Sequence, residues 1–314
     1  MNAEIFAEWL RRQGHKVFKT ESSYWYDQGP RVYQAFPYHW LINPGQHEFE
    51  EIFKQYKAMG FRYSSKLNSS EGSLSYHAVF DGDEYGFEGL SKWARKNVRR
   101  GLRNCAVEPI TLDYLAGAGW ALQVDTLERQ GRKLAVTKDI WTLRCLTAKD
   151  LPGFEAWGAK VDHQLVASVI TFQMENCWYM LYQQCSRDYL ALHVNNALSF
   201  VVTQHLVSQP NFNSVLYGLH SLDAPASVDE FKFRMGYRAK AVRQRVVFHP
   251  SLQPFVNQGS HALLRASLRL RPGNPLLAKA EGMFRFYLHG KRRLDAQPWP
   301  QPLCDEKDAI LSSL

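Results

Sequence analysis

Apolar residues recur along the chain with the period of a helix in some stretches and in alternating or continuous runs in others. In the first 110 residues these patterns predict, in order, a helix, two strands, a second helix, two further strands and a third helix. The apolar positions that define the first two helices are Ile5, Phe6, Trp9 and Leu10 in one and Phe49, Ile52, Phe53 and Tyr56 in the other. This order predicts a compact α/β unit over residues 1–110.

The pattern predicts a second unit over residues 111–250. Residues 111–150 are expected to be mainly helical, and three strand-like runs over 154–185 are expected to form an antiparallel meander. A long helical stretch then ends at Pro210, and a strand and a short helix lead into an alternating last strand at 238–249. The two units together predict an α/β (α+β) fold class.

Residues 251–314 are predicted to be a separate basic C-terminal extension. Within it, 276–289 is expected to form a helix with one apolar side. That side either packs back onto the fold or makes a peripheral contact with an anionic membrane surface or with RNA.

The stretch 90–104, LSKWARKNVRRGLRN, holds six basic residues and no acidic one. On a helix the six fall within an arc of about 140°, opposite small and apolar residues. The basic residues are Lys92, Arg95, Lys96, Arg99, Arg100 and Arg103. Such a face is either a solvated surface or a binding surface for a polyanion such as a nucleic acid. The formal net charge of +8 favours anionic partners.

The composition is that of a globular protein, since 45% of the 314 residues are hydrophobic and 13% are aromatic. The five cysteines are scattered, with no C-x-x-C pair and no histidine at zinc-ligand spacing, so neither a metal site nor a disulfide framework is expected. The N-terminus lacks the continuous apolar core of a signal peptide, and no run reaches the ~20 apolar residues of a membrane span. We therefore predict a cytoplasmic protein.

Two segments carry recognisable motifs. YGLHSLDAPASVDEFKFRMGYR holds an F-K pair, Phe231-Lys232, on the predicted short helix, followed by a Gly236-Tyr237 step. SKWARKNVRRGLRNCAVEPI combines basic and Asn residues with a short strand after them. In this order the two segments resemble FemAB-like acyltransferases of the GNAT superfamily over residues 30–250. The resemblance implies two GNAT-like halves, each a mixed, mainly antiparallel sheet flanked by helices, with a cleft between them.

The resemblance also implies transfer of an acyl or aminoacyl group from an activated carrier to an amine, with no permanently bound cofactor. Members of the family take aminoacyl-tRNA, acyl-CoA or acyl-carrier protein as donor. Where CoA-dependent GNAT enzymes carry a glycine-rich phosphate turn, this sequence reads QQCSRDYLALHVNN, without glycine. Aminoacyl-tRNA is therefore the expected donor, acyl-CoA or an acyl-carrier protein the alternative, and a non-catalytic module that binds RNA or membrane the second alternative.

Lys232 is the first candidate for catalysis, because the resemblance places it near the carrier end of the donor. An ammonium there can stabilise the oxyanion that forms when an amine attacks an ester or thioester. Asp223 and His220 are candidate general bases on the loop before the short helix, against the alternatives of a turn residue and a half-buried histidine. Asp229 and Glu230 are expected to serve the N-terminus of that helix.

Four residues are candidate contacts of the donor. Phe231 is placed to stack on an adenine, although a single aromatic residue on a short helix also suits a core. Arg187 is a candidate phosphate ligand, and His193 and Asn196 lie near the predicted start of the long helix. No Ser-His-Asp or Cys-His signature is present, so direct attack in a ternary complex is expected rather than a covalent acyl-enzyme.

Overall fold

The computed structural model describes residues 2–131, 137–222 and 226–314, and of Ala226 and Ser227 only the backbone. The helices are α1 (Ala3–Arg12), α2 (Gln46–Lys54), α3 (Lys92–Asn104), α4 (Leu112–Arg129), α5 (Lys138–Lys149), α6 (Val194–Val207), α7 (Ala226–Arg234), α8 (Gln258–Leu270), α9 (Pro275–Gly290) and α10 (Lys307–Ser312). The strands are β1 (Val17–Lys19), β2 (Tyr24–Gly29), β3 (Val32–Phe36), β4 (Gly60–Ser65), β5 (Ser73–Phe80), β6 (Ala106–Ile110), β7 (Phe154–Val161), β8 (Gln164–Met174), β9 (Cys177–Met180), β10 (Gln184–Cys185), β11 (Ser214–Leu219) and β12 (Arg238–Phe248). The fold class is α/β, with mixed and mainly antiparallel strands flanked by helices, as the sequence predicts.

The chain divides into two compact units, and each is built from separate segments. Unit 1 consists of Met1–Gln13, Ala78–Gly218 and Ala224–Arg238. Unit 2 consists of Gly14–His77, Leu219–Asp223 and Ala239–Leu314. Because the chain passes between the units several times, this division does not coincide with the predicted boundaries at residues 110 and 250.

In unit 1 the strands neighbour one another in the order β11-β9-β8-β7-β6. All these pairs are antiparallel except β9 with β11, which run parallel and are in register from Ser214 opposite Cys177 to Leu216 opposite Tyr179. A buried apolar core joins this sheet to α3 and α6, with Val98 from α3 and Leu198 from α6 fully buried in it. The parallel pair at one side of this sheet fixes the position of the candidate site.

In unit 2 the strands β1, β2, β3, β4 and β12 are neighbours in that order, and only β3 and β4 run parallel. Helix α2 packs on them through Phe49 and Ile52 in one aromatic-rich core. Helix α9 supplies Met283, Phe286 and Tyr287 to a second core. The apolar side predicted within 276–289 therefore packs against unit 2, with Leu276 left exposed.

Three predicted elements differ from the structure. The first predicted strand of the chain forms two strands, β1 and β2. A turn lies between them, in which the Thr20 N–H donates to the Ser23 carbonyl (2.9 Å). The third strand of the meander stops at Met180, and the short β10 pairs back on β8. The long helix begins only at Val194, since Arg187–Leu192 form a 3₁₀ turn and His193 adopts a left-handed conformation (φ 58°).

Candidate active site

A cavity of about 490 Å³ lies in unit 1 at the carboxyl ends of the parallel strands β9 and β11. The two strands pair no further than Leu216 and Tyr179, so their ends leave space between them. In open α/β sheets, ligands bind in the crevice outside the carboxyl ends of such strands. The cavity is lined by Thr126, Arg129, Gln130, Gln183, Gln184, Cys185, Leu190, Asn195, Asn196, Tyr217, Val228, Phe231 and Lys232.

A buried ion pair lies in the wall of this cavity. The Lys232 ammonium donates to Asp229 Oδ1 at 2.6 Å, one helical turn away on α7. The two side chains are only 9% and 10% exposed, and the Lys232 Nζ lies 5.4 Å from the centre of the Tyr217 ring. The carboxylate compensates the ammonium in a poorly hydrated place and limits its movement. The result is a positioned cation beside a cavity that a substrate can enter.

The turn after α7 explains why a glycine and an aromatic residue follow the F-K pair. Gly236 has φ +87° and donates its N–H to the Phe233 carbonyl, while the Tyr237 N–H donates to the Lys232 carbonyl. This is the Schellman pattern of a helix end, which requires a left-handed residue at the glycine position. The buried Tyr237 hydroxyl lies 2.7 Å from Thr203 Oγ1 on α6. The Gly-Tyr step thus anchors the helix that carries Lys232.

A chain of hydrogen bonds crosses the cavity from β11 to α6. The Tyr217 hydroxyl donates to Gln183 Oε1, and Gln183 Nε2 donates to Asn195 Oδ1 at 2.8 Å. Loss of hydration around the Tyr217 hydroxyl, with Tyr237 beside it, raises the pKa of Tyr217 well above its ordinary value, so the phenol stays neutral. Sequence reasoning missed Gln183, whose only signal is its position in the loop between β9 and β10. Asn195 is the second residue of α6, and the sequence suggests it, with its neighbours His193 and Asn196, as a contact of the donor.

Cys185 is the one cysteine that lines this cavity. Burial raises the pKa of its thiol to about 12, so the thiol stays protonated at neutral pH. Its thiol donates to the Ser186 carbonyl at 3.4 Å. The thiol is therefore a packed side chain rather than a nucleophile, in keeping with direct attack by the amine.

We expect Cys185→Ala to retain acyl transfer within about threefold of the parent protein, because no thiolate is available to carry an acyl group. The backbone bonds of Cys185 to Thr126 do not involve the side chain, so the local fold should persist. Turnover per folded molecule checks this expectation. A hundredfold loss, or an acyl adduct on Cys185 found by mass spectrometry, would instead establish a covalent route.

The structure brings three of the predicted residues together at the cavity and leaves two nearby residues outside its lining. Lys232, Phe231 and Asn196 line it. Arg187 is exposed and paired with Asp125 and with Glu128, the latter at 3.1 Å. His193 precedes α6, and its pKa is lowered by burial and by Arg100 and Lys96.

The two predicted general bases are placed differently. His220 lies in unit 2, where its ring stacks on Tyr76 with 4.5 Å between ring centres and its Nδ1 lies 3.3 Å from Ser75 Oγ. Asp223 lies outside the described residues. No residue in the described lining of the cavity is a histidine, so the identity of a general base stays a prediction.

Helix α3 presents its basic residues to solvent and its small residues to the core. Lys92, Lys96, Arg99, Arg100 and Arg103 are exposed, and Arg95 is half-buried. Among residues 2–131, 137–222 and 226–314, none of the six forms an ion pair with a carboxylate. No carboxylate of the described residues therefore compensates this charge, which suits a polyanion site.

Helix α3 packs closely on the start of α6 through its small residues. A Cβ at Gly101 would lie 2.4 Å from the His193 carbonyl, so only glycine lets α3 approach α6 this closely. The Asn104 side chain also donates to the Leu192 carbonyl at 3.2 Å. The basic face lies on the opposite side of α3, but Lys96 and Arg100 are close enough to His193 to lower its pKa, so part of this charge lies near the first turn of α6, which lines the cavity.

Two negative findings concern the described part of the chain. No cluster of three or more His, Cys, Asp or Glu side chains is suited to a metal ion there. None of its helices combines the length and apolar character needed to cross a bilayer.

Solved structures with a similar fold support the resemblance drawn from the motifs. FemX matches with a TM-score of 0.56 and 10% identity over 80% of this chain and 92% of its own. The C-terminal domain of a putative lysylphosphatidylglycerol synthetase from Agrobacterium fabrum matches with a TM-score of 0.54 and 13% identity over 86% of this chain and 94% of its own. L-PGS from Bacillus licheniformis matches with a TM-score of 0.53 and 11% identity over 87% and 98%.

No protein-family profile matches the sequence, and no curated protein is significantly similar to it. At identities near 10% the structural similarity concerns the fold, and it extends over most of both chains. The chain therefore shares the fold of FemX and of the lysylphosphatidylglycerol synthetase domain.

Proposed function

We propose that the protein is an N-acyltransferase that joins an aminoacyl group carried on tRNA to an amine-bearing acceptor. The observation that carries the proposal is the buried Lys232–Asp229 pair in the wall of the unit 1 cavity. A desolvated ammonium is costly to retain unless it is paired, so a buried ion pair in the wall of a cavity is a candidate functional group. The reaction class follows from the fold and from this positioned cation.

In the proposed reaction the acceptor nitrogen attacks the carbonyl carbon of the aminoacyl ester and forms a C–N bond. The carbonyl oxygen becomes an oxyanion, and the Lys232 ammonium stabilises it by a charge-assisted hydrogen bond. The C–O bond to the ribose then breaks. The ribose oxygen takes up one proton and the attacking amine loses one, so the proton balance closes without a metal or a redox partner.

The surroundings of the cavity favour a tRNA-borne donor over acyl-CoA. Arg187, the candidate for the CoA pyrophosphate, is already compensated by two carboxylates. The exposed cations of α3, in contrast, have no carboxylate partner among the described residues, and two of them, Lys96 and Arg100, act on His193 at the start of α6. A phosphate backbone along α3 would direct its single-stranded end toward the cavity. A tRNA donor also requires the cytoplasm, where tRNA is charged.

The alternative donor is acyl-CoA or an acyl-carrier protein, with the thioester arm in the same cavity. One experiment separates the donors: the protein is mixed with a pool of amine acceptors and with either tRNA charged with labelled amino acids or labelled acyl-CoA. An aminoacyl ester is cleaved by mild alkali, whereas the product amide survives it. We expect alkali-stable label only from charged tRNA.

If alkali-stable label arises only from acyl-CoA, the donor is acyl-CoA and the proposal of a tRNA donor is wrong. Binding of tRNA without any transfer from either donor would favour the third reading, in which the fold serves as a non-catalytic RNA-binding module. Uncharged tRNA and heat-inactivated protein are the controls for non-enzymatic transfer.

A further inference from the structure

The most exposed large apolar side chains in the described part of the chain lie within one short stretch of unit 2. They are Phe255 at 69%, Leu263 at 70%, Leu270 at 84% and Leu276 at 63%. Phe255 lies in the turn before α8, Leu263 and Leu270 lie on α8, and Leu276 lies in the first turn of α9. Apolar residues this exposed are uncommon as a group and mark an interaction surface.

Helix α8 has an inner and an outer face. His261 on the inner face is buried, and its Nε2 lies 2.9 Å from Glu281 Oε1 on α9. Leu263 and Leu270 are seven residues apart, so two helical turns place them on one face, which points away from α9. Ala262 and Ala266 are exposed on the same side. The outer face of α8 is thus apolar along its whole length.

The charged side chains in the sequence around α8 are all basic. From residue 249 to residue 280 the sequence contains no Asp or Glu. Arg265, Arg269 and Arg271 are exposed, and none of the three pairs with a carboxylate of the described residues. Two of these arginines flank the apolar face on α8, and the third follows the end of the helix.

We propose that this surface, formed by α8 and its adjoining turns, docks on an anionic lipid bilayer. Exposed leucines beside arginines are the features of a helix that lies in a membrane interface, with its apolar face among the acyl chains and its cations at the headgroups. RNA would compensate the arginines but leave the leucines in water. A second copy of the surface would cover the leucines but oppose like charges. The bilayer is the occupant that satisfies both features.

The test is cosedimentation with vesicles at physiological salt, using phosphatidylcholine alone and phosphatidylcholine with phosphatidylglycerol at three to one. We expect binding to the mixed vesicles and little to phosphatidylcholine alone. Leu263→Glu with Leu270→Glu should weaken binding at least tenfold. Both positions are exposed, so the melting temperature should stay unchanged.

Two matched controls make the result specific. Leu143→Glu with Leu146→Glu alters two other exposed leucines, on α5, and should leave vesicle binding intact. Lys96→Gln, Arg100→Gln and Arg103→Gln remove three charges elsewhere and should also leave it largely intact, whereas Arg265→Gln, Arg269→Gln and Arg271→Gln should weaken it.

The proposal is independent of the donor and of acyl transfer. It is overturned if the protein binds neither vesicle, or if the double Leu→Glu variant on α8 binds as the parent does. It is also overturned if light scattering shows a dimer that this variant dissociates, since a second copy then covers the surface. Binding of short RNA that is lost in the same variant would overturn it as well.

Discussion

Lys232→Met is expected to lower kcat/KM for amide formation at least tenfold, and by about 10²–10³-fold if the ammonium acts like a single oxyanion donor. Methionine fills a similar volume but offers neither charge nor donor, so the stabilisation of the oxyanion is lost. Single-turnover transfer from the preferred donor measures the change. Binding of the donor, measured separately, should change far less, because the oxyanion forms only during the reaction.

The same substitution removes the ammonium from the buried Lys232–Asp229 ion pair, and breaking such a pair costs about 3–5 kcal/mol of stability. Lys232→Met combined with Asp229→Leu removes both charges, so it should regain most of the melting temperature while staying inactive. If that double variant is instead active, the ion pair serves only the fold of α7, and the proposed role of Lys232 is wrong.

The residues at the cavity show what local sequence can predict. The F-K pair and the Gly-Tyr step lie within seven residues, and the Schellman turn at Gly236 follows from local backbone preference. Asp229 lies in the first turn of α7, where the sequence predicts it, and it also pairs with Lys232 three residues later. That spacing was visible in the sequence. What the sequence could not show is the burial of both side chains, which depends on packing from α6 and β11.

Other features depend on partners far along the chain. Asp125 and Glu128, which pair with Arg187, come from α4, about sixty residues away, and nothing in the loop sequence indicates them. Gln183 and Asn195, twelve residues apart, meet through a side-chain hydrogen bond that no local pattern indicates. The two compact units are defined by contacts between distant segments and not by sequence order, so the boundaries at residues 110 and 250 stay a prediction. The periodicity of apolar residues predicts helices and strands, whereas contacts between residues far apart in the sequence are seen only in the structure.

Lys96→Gln with Arg100→Gln and Arg103→Gln is expected to weaken tRNA binding and to lower its salt dependence. The three residues lie at i, i+4 and i+7 on the exposed face of α3. Each phosphate they neutralise releases counterions, which contributes about 0.7–0.9 to the slope of log K against log salt. Loss of all three contacts should therefore reduce the slope by about two units or more. Glutamine keeps a good helix propensity, so α3 should persist.

The matched control is Arg265→Gln with Arg269→Gln and Arg271→Gln, which lowers the formal net charge by the same three units on a different helix region. If tRNA follows α3, this control should keep the parent slope, because counterion release counts local contacts and not total charge. Equal losses in both variants would mean that tRNA responds only to the overall charge of +8. An unchanged slope in the α3 variant would mean that the basic face of α3 is a solvated surface, and it would favour acyl-CoA as the donor. Binding of acyl-CoA in the cavity should be insensitive to all six substitutions.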